Sequence, residues 1–473
     1  MTNSTFPAEL PTVTGPVFRP GADGYDAEVS GFQTAYTHRP DLVVGAVHAE
    51  DVRAAVEFAA RHGLPVAVQA TGHGLSVPAA GGVLISTRRM TDLRVDPEAR
   101  TAWVAAGVQA EALIAAAVAH GLAPLNGSSP SVGVVGYHLG GGLGILARSF
   151  GYAADRVRAV ELVTADGRLR RLTPGDELFG AALGSGGNFG VVTGMELELF
   201  PITEVYGGQL AFDTQLVEPA LEAWRQWTAE VPEEMTSAIT MMTMPDVPAI
   251  PEPLRGRYLA TVNIAFTGSA ADGERLVRPL REVGARLADD LRTMPYSDTH
   301  GIYRDPSFPH AYTATNALLS DLTADAASDF LDVTGPEAPV AAVAGFRHLG
   351  GALRRPGPAG IAMDHREAEY NARIITMPNS DGPDQRGYHD LVAKSLAPWT
   401  IGHNLNFLYG AGEWADENQT RAGYAARTYD RLRALKSAYD PANLFRFNRN
   451  IRPPEPLRRP GPLVAGSIAA LSS

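Results

Sequence analysis

The sequence predicts an α+β protein built in two unlike parts, and three observations carry that prediction. Residues 41–70, DLVVGAVHAEDVRAAVEFAARHGLPVAVQA, read as strand, helix and strand in succession. Around Pro201 the texture changes: up to residue 400, strand-like pieces such as YGGQLAF, YLATVNIAF and AAVAGFRHLGGAL alternate with long amphipathic helices. The chain has 473 residues, 45% hydrophobic and 19% charged, which is enough for two or three domains with buried cores.

Taken in order, residues 1–30 are rich in Pro and Gly and read as an arm or loop. The first helix has Glu50 and Asp51 in its first turn, apolar spacing through Val52, Val56 and Ala59, and Gly63 as its stop. Residues 81–107 read as short strands separated by turns, with a hairpin at Asp96-Pro97-Glu98. QAEALIAAAVAHGLAPL is a helix ending at Gly121. Strand signals return in DRVRAVELVTADGRLRRLTP, where Asp166-Gly167 predicts a two-residue hairpin turn. In the second part, PALEAWRQWTAEV and GERLVRPLREVGARLADDL are the expected helices. MPDVPAIPEPLRG is a surface loop. Residues 414–437 form one further helix, with Arg427, Arg431 and Lys436 toward its C-terminal end, where cations suit the helix dipole. The tail after Pro460 consists mostly of small residues and is expected to be an appendage.

Composition excludes several function classes. A net charge of −12 argues against nucleic-acid binding. The absence of cysteine removes disulfides, thiolate nucleophiles, iron–sulfur clusters and cysteine zinc sites. No metal site is predicted. No apolar run reaches the roughly 18 residues of a membrane span, so none is expected. MTNSTFPAELPTVTGPVF has neither a basic nor an apolar signal region, and a cytoplasmic location is expected.

Three glycine-rich loops fall in the first 200 residues. QATGHGLSVPAAGGV, residues 69–83, places His73 between Gly72 and Gly74 directly after a strand-like segment. Glycine lets backbone approach a ligand closely and exposes N–H groups to an anion, although such a loop alone also reads as a surface turn. SVGVVGYHLGGGLGILARSFG contains a G-x-G-x-x-A match at Gly142, Gly144 and Ala147. The dinucleotide fingerprint also needs an acidic residue at the end of the next strand. Here Glu161 lies mid-strand, so that reading is rejected. ALGSGGNFGVVTGMELELFP offers a second backbone cradle with Asn188 as a polar side chain. Three such loops suggest a large extended ligand, such as a dinucleotide. Near the end, Asn448 and Asn450 alternate before a proline stop, where two amides can bind polar ligand groups or serve a turn.

In this order, VAVQATGHGLSVPAAGGVLISTRRM, NGSSPSVGVVGYHLGGGLGILARSFGYAADRV, DELFGAALGSGGNFGVVTGMELELFP, FRHLGGALRRP with HREAEY, and YDPANLFRFNRNIRP resemble the berberine-bridge-enzyme-like branch of the vanillyl-alcohol-oxidase (p-cresol methylhydroxylase) flavoproteins. The likeness covers about residues 36–453. It implies a p-cresol-methylhydroxylase-type FAD-binding domain in two pieces, 1–200 and 401–460, with an α+β substrate domain carrying an antiparallel sheet, 201–400, between them and a tail at 461–473. It implies FAD linked through His73 to the flavin 8α-methyl, with Thr71, Gly72, Gly74, Ser129, Gly133, Gly136, Gly140, Gly141, Gly142, Gly190, Val191, Asn448 and Asn450 at the cofactor. The attacking imidazole must be unprotonated, which an ordinary histidine of pKa about 6.5 supplies at neutral pH.

Two departures bear on the chemistry. Many members carry a second link from a cysteine, and Ser129 stands there in GSSPSVG. A hydroxyl is a poor nucleophile without an activating base, so one covalent link is expected. The family often reads Tyr-x-Asn-Tyr where this chain reads Asn404-Leu405-Asn406-Phe407, so both tyrosines are lost. Candidates for deprotonation or binding are then Tyr409, His310 and Tyr312, with Tyr303, His348 and Tyr370 behind them. The resemblance implies an oxidoreductase, an O₂-using oxidase of a secondary-metabolite-type small molecule. Alternatives are a flavin-dependent cyclase or isomerase without net oxidation, and a flavin-binding protein without catalysis.

Overall fold

The computed structural model describes residues 6–7, 9–248, 250–357, 360–378, 384–409 and 416–454. The expected tail at 461–473 lies outside the described residues. Among the described residues the strands form three sheets. The first contains β1 (Val17–Phe18), β2 (Leu42–Gly45), β3 (Val66–Gln69) and β4 (Val83–Ser86), in the order β1-β2-β4-β3. The second contains β5 (Leu93–Asp96), β6 (Thr101–Ala105), β7 (Val157–Val163), β8 (Leu169–Leu172) and β9 (Val191–Glu198), in the order β5-β6-β9-β7-β8.

β2, β3 and β4 pair in parallel, and every residue of β2 and β4 is buried. That is why LVVG and VLIS show no polar alternation. The helix Ala49–His62 connects β2 to β3 and buries Val52, Val56 and Ala59 completely against them. It stops at Gly63, which takes the left-handed conformation, φ 63°, as helices commonly end. The Asp96 hairpin forms as read, with Asp96 opposite Thr101. β7 has antiparallel neighbours on both sides, so the G-x-G-x-x-A match does not belong to a parallel dinucleotide fold.

Several expectations need correction. The arm holds β1 and a short helix, Tyr25–Val29. The Asp166-Gly167 turn is a three-residue loop: Thr164 pairs with Arg168, and Gly167 takes φ 75°. The helix expected through Leu291 ends at Arg281, and Arg286–Asp289 form a strand instead. Gly284, at φ 158°, follows this stop, and its Cβ position lies against Leu216. The single helix expected over 414–437 is two, Glu417–Arg421 and Ala426–Tyr439. Between them Gly423 packs on Leu405 so closely that a Cβ would sit 2.6 Å from it.

The third sheet has nine strands: β10 (Glu204–Phe212), β11 (Met235–Thr243), β12 (Tyr258–Phe266), β13 (Arg286–Asp289), β14 (Arg292–Pro295), β15 (Thr313–Leu319), β16 (Ala342–His348), β17 (Tyr370–Thr376) and β18 (Thr400–Gly402). All its pairings are antiparallel, in the order β13-β10-β12-β11-β16-β17-β15-β18 with β14 beside β10. Side chains alternate across such a sheet. One face carries Ile239, Phe346, Ala372 and Ile374 into a core with Trp224, Phe330 and Val392 from three helices. The other face carries Thr240, Arg347, Asn316, Asn371 and Arg373, a polar set.

Candidate functional site

His73 follows β3 in the turn Thr71-Gly72-His73-Gly74. Gly72 has φ 74°, and a Cβ there would lie 2.7 Å from the Gly31 Cα. Glycine is therefore required by both conformation and close approach. The segment after Gly31 forms a short ladder over this turn: Phe32 and Gln33 donate backbone N–H groups to the Thr71 and Gly72 carbonyls, at 2.9 and 3.2 Å. The Phe32 ring stacks on His73 at 3.9 Å with a 13° interplanar angle. Sequence reading missed Phe32, which lies between the arm at 1–30 and the strand-like segment at 41–70, where no pattern marks a stacking aromatic.

Both imidazole nitrogens have hydroxyl partners. Nδ1 lies 2.8 Å from Thr71 Oγ1, and Nε2 lies 3.2 Å from Ser131 Oγ. Thr71 Oγ1 also accepts from the Gly133 N–H at 3.3 Å. Thr71 Oγ1 keeps a lone pair and its own proton for Nδ1, so this contact forms in either imidazole tautomer. Burial pushes the His73 pKa down to about 4, against a small opposing effect of Asp305. The ring is neutral at physiological pH. Ser129 lies 3.1 Å from Ser131, so it joins this hydroxyl chain and has no basic partner of its own there.

The other glycines divide into two groups. At Gly74, Gly136, Gly186 and Gly187 a Cβ would meet nothing within 4 Å, so these backbones border open space. At Gly140, Gly141 and Gly142 a Cβ would strike Asn406, Met363 and Tyr137. The Gly140 and Gly141 N–H groups both go to the His138 carbonyl. These two amides are spent within the chain, and packing against Asn406 and Met363 accounts for the missing side chains. Gly133 packs against Ala70 and Thr71, and Gly190 against the Val163 carbonyl. The Val191 side chain is in the core, so Gly190 and Val191 can reach a ligand only through backbone.

Asn188 is not a ligand-facing amide either. Its Nδ2 donates to the Ser185 and Arg449 carbonyls, and its Oδ1 accepts from Ile451 N–H, clamping the C-terminal segment. Beside it, Asn448 and Asn450 each keep a buried Oδ1 without a protein partner. These are the two amides singled out from the sequence.

The polar face of the nine-stranded sheet meets the His73 turn. Tyr312 donates its hydroxyl to the His73 carbonyl at 2.7 Å, and His310 exchanges backbone hydrogen bonds with Phe32 and Thr34. The His310 ring lies 4.9 Å from that of Tyr312 and directs Nδ1 to the Phe308 carbonyl at 2.9 Å. Tyr409 stands perpendicular to Tyr312 at 5.3 Å, its backbone carbonyl bound to Ala314 of β15. Burial raises the pKa of both tyrosines, and Arg373 and Arg347 act on Tyr409 in the opposite sense.

The structure thus brings His73, His310, Tyr312 and Tyr409 together. Tyr303 lies on the same face, under the guanidinium of Arg347 at 5.0 Å. His348 and Tyr370 lie on the opposite face and are corrected from candidates to core residues. Arg148 donates to His348 Nε2 at 2.8 Å, and the Tyr370 hydroxyl pairs with Thr228 at 2.7 Å. Asn404 caps a single 3-10 turn, Leu405–Phe407, of which Phe407 is the last residue. Asn406 reaches the Tyr137 carbonyl and Ser76 the Leu408 carbonyl, so this turn closes the junction between the parts.

Comparison with known proteins agrees with this geometry. Residues 40–173 match the family model of an FAD binding domain, and residues 414–452 match that described as berberine and berberine like. An FAD-linked oxidoreductase of Dictyostelium discoideum is 27% identical over 454 residues, covering 93% of this chain and 95% of its own. The (R)-6-hydroxynicotine oxidase of Paenarthrobacter nicotinovorans is 26% identical over 467 residues, covering 93% and 97%. In fold, the chain is similar to 6-hydroxy-D-nicotine oxidase from Arthrobacter nicotinovorans, with TM-score 0.81 and 24% identity over 95% of this chain and 100% of that one. It is also similar to a chitooligosaccharide oxidase, with TM-score 0.80 and 20% identity over 93% and 97%.

Proposed function

We propose that this chain, an FAD-linked oxidoreductase of the berberine-bridge-enzyme-like family, is an oxidase that holds its flavin by one covalent bond, from His73, and passes electrons from a small molecule of secondary-metabolite type to O₂. The observation that carries the reading is His73 itself: a neutral imidazole, fixed between two hydroxyls and a stacked phenyl ring, beside backbone that borders open space. The residues present fit FAD. Gly74, Gly136, Gly186 and Gly187 leave room for close backbone approach, and the unpartnered Oδ1 atoms of Asn448 and Asn450 suit donors on a polar ring. When bound, FAD supplies hydride acceptance and reoxidation, chemistry that no side chain provides.

The protein's share is positioning and proton transfer. Tyr312 is a poor base, since its proton is already given to the His73 carbonyl. Tyr409 is the better candidate, because two guanidiniums act to stabilise its phenolate against burial. Asn404 and Phe407 contribute no titrating group. The test is to denature and digest the purified protein and weigh its flavopeptides. A flavin-bearing peptide containing residue 73 is expected; one linked at residue 129, or flavin released entirely, overturns the linkage. Oxygen consumption with peroxide formation separates an oxidase from a cyclase or isomerase.

A further inference from the structure

Among the described residues, buried cations are, with one exception, provided for. Lys436 pairs with Asp440 at 2.7 Å, Arg366 with Asp155 at 2.7 Å, and Arg148 and Arg449 donate to backbone carbonyls. The exception is a pair on the polar face of the large sheet. Arg347 stands opposite Asn371 and Arg373 opposite Gly345 in the β16–β17 register, so the two lie diagonally adjacent on one face. Arg347 is only 7% exposed, and Arg373 is largely buried beside it. Neither makes an ion pair or a hydrogen bond among the described residues.

Aromatic rings hold them instead. Arg347 lies over Tyr303 at 5.0 Å and over Phe407 at 5.3 Å, and Arg373 lies over Phe407 at 5.3 Å. A ring satisfies the face of a guanidinium and leaves its N–H edge unused. The other titrating groups acting on Arg373 are Tyr409, Tyr303 and Asp305. The Asp305 carboxylate is engaged by the Ser128 hydroxyl and pairs with neither arginine. A small cleft, with room for about one water-sized group, is bordered by Ala238, Thr240, Tyr303, Gly345, Arg347 and Arg373 at this point. Two like charges are desolvated side by side, with donors unused and a cleft before them. Such an arrangement costs stability unless an anion completes it.

We propose that Arg347 and Arg373 form a receptor for a carboxylate on the substrate, so that the enzyme acts on acids in preference to their neutral counterparts. The proposal deepens the oxidoreductase reading above and rests on it for the identity of the ligand as substrate. Planar guanidinium forks match carboxylate geometry. Phe407 fixes both forks, and two residues further on Tyr409 stands beside Tyr312. The acid end of the ligand is anchored at the arginines, leaving its remainder toward the His73 cluster.

The test uses flavin-loaded protein titrated with acetate, benzoate and 4-hydroxycinnamate, with the three matching carboxamides, and with inorganic phosphate. Flavin absorbance and melting temperature are the readouts. At least one acid is expected to bind about ten-fold more tightly than its amide. Arg347→Met and Arg373→Met are each expected to abolish that preference, keep flavin content, and leave the ligand-free melting temperature equal or higher, because an uncompensated buried charge is gone. No response to any acid, or equal binding of acids and amides, overturns the proposal. A response unchanged in both variants overturns it too. Lost flavin in the variants assigns the pair to the cofactor and also overturns it, and phosphate binding more tightly than every acid overturns the carboxylate assignment. Acid-selective binding without oxygen consumption by any substrate leaves the receptor standing and refutes the oxidase.

Discussion

The proposed attachment of flavin through His73 requires a neutral imidazole, and burial pushes the pKa of this ring down to about 4. An ordinary imidazole of pKa about 6.5 is about 97% neutral at pH 8 and only about 3% neutral at pH 5, a fall of about 30-fold. His73, with its pKa at about 4, remains about 90% neutral at pH 5. Apoprotein produced under riboflavin limitation and incubated with FAD is therefore expected to form acid-stable flavin at rates differing by less than about two-fold between pH 8 and pH 5. The assay is flavin fluorescence in acid-precipitated protein against time, with far-UV circular dichroism confirming the fold at each pH. A midpoint near pH 6.5 in folded protein would show that the ring titrates as if in water. The burial argument would then fail. Thr71→Val removes the hydroxyl at Nδ1 and is expected to slow attachment without changing the flat pH profile.

Three further outcomes follow from the same contacts. Lys436→Met leaves Asp440 buried without its cation and releases the Asn188 and Phe445 carbonyls; urea unfolding should show a loss of about 3–5 kcal/mol, and a loss below about 1 kcal/mol would refute the pairing. Tyr409→Phe should slow anaerobic flavin reduction by about 10²-fold or more while Tyr312→Phe changes it only a few-fold, and the reverse order would exchange their roles. His38 and His138 are buried with pKa values pushed down to about 4, so on acidification the unfolded chain binds protons first. Each then removes up to about 3 kcal/mol of stability as pH falls from about 6.5 to 4, and a melting temperature constant across that range would contradict their neutral burial.

Much of this was legible in the sequence where the physics is local. Gly63 ends its helix, Asp96 begins its hairpin, and His73 occupies a glycine turn because each depends on residues a few positions away. The ordered glycine motifs carry the family resemblance that implies FAD. What the sequence left hidden depends on long-range placement. GERLVRPLREVGARLADDL keeps a helical pattern past the point where the structure breaks it, because Arg286–Asp289 gain more by pairing with β10 than by extending a helix. The three consecutive glycines at 140–142 read as a ligand cradle, yet their neighbours Asn406 and Met363 come from more than 200 residues away. Phe32 lies between the arm at 1–30 and the first strand-like segment, and its stacking partner is 41 residues away.

The candidates in the large sheet were separated by parity alone. FRH supplies Phe346, Arg347 and His348, and YNAR supplies Tyr370 and Arg373, so residue type gives no reason to prefer Arg347 over His348. The pairing of His348 with Tyr370 and of Arg347 with Asn371 decides it. Odd positions 345, 347, 371 and 373 share the polar face, and even positions 346, 370, 372 and 374 pack into the core against the helices. A one-residue slip of β16 would turn the Arg347 guanidinium into the apolar core and expose Phe346, and one of β17 would do the same with Arg373 and Ile374. The cost of that exchange keeps the register fixed. His348 survives on the core side because Arg148 meets its Nε2 and Tyr370 stacks on its ring. A histidine chosen for catalysis would instead need to reach the cleft, and burial with Arg148 beside it pushes its pKa far below the range useful for proton transfer near neutral pH. The proposed proton transfer at this sheet therefore has its candidates on the odd face and in Tyr409, not in His348.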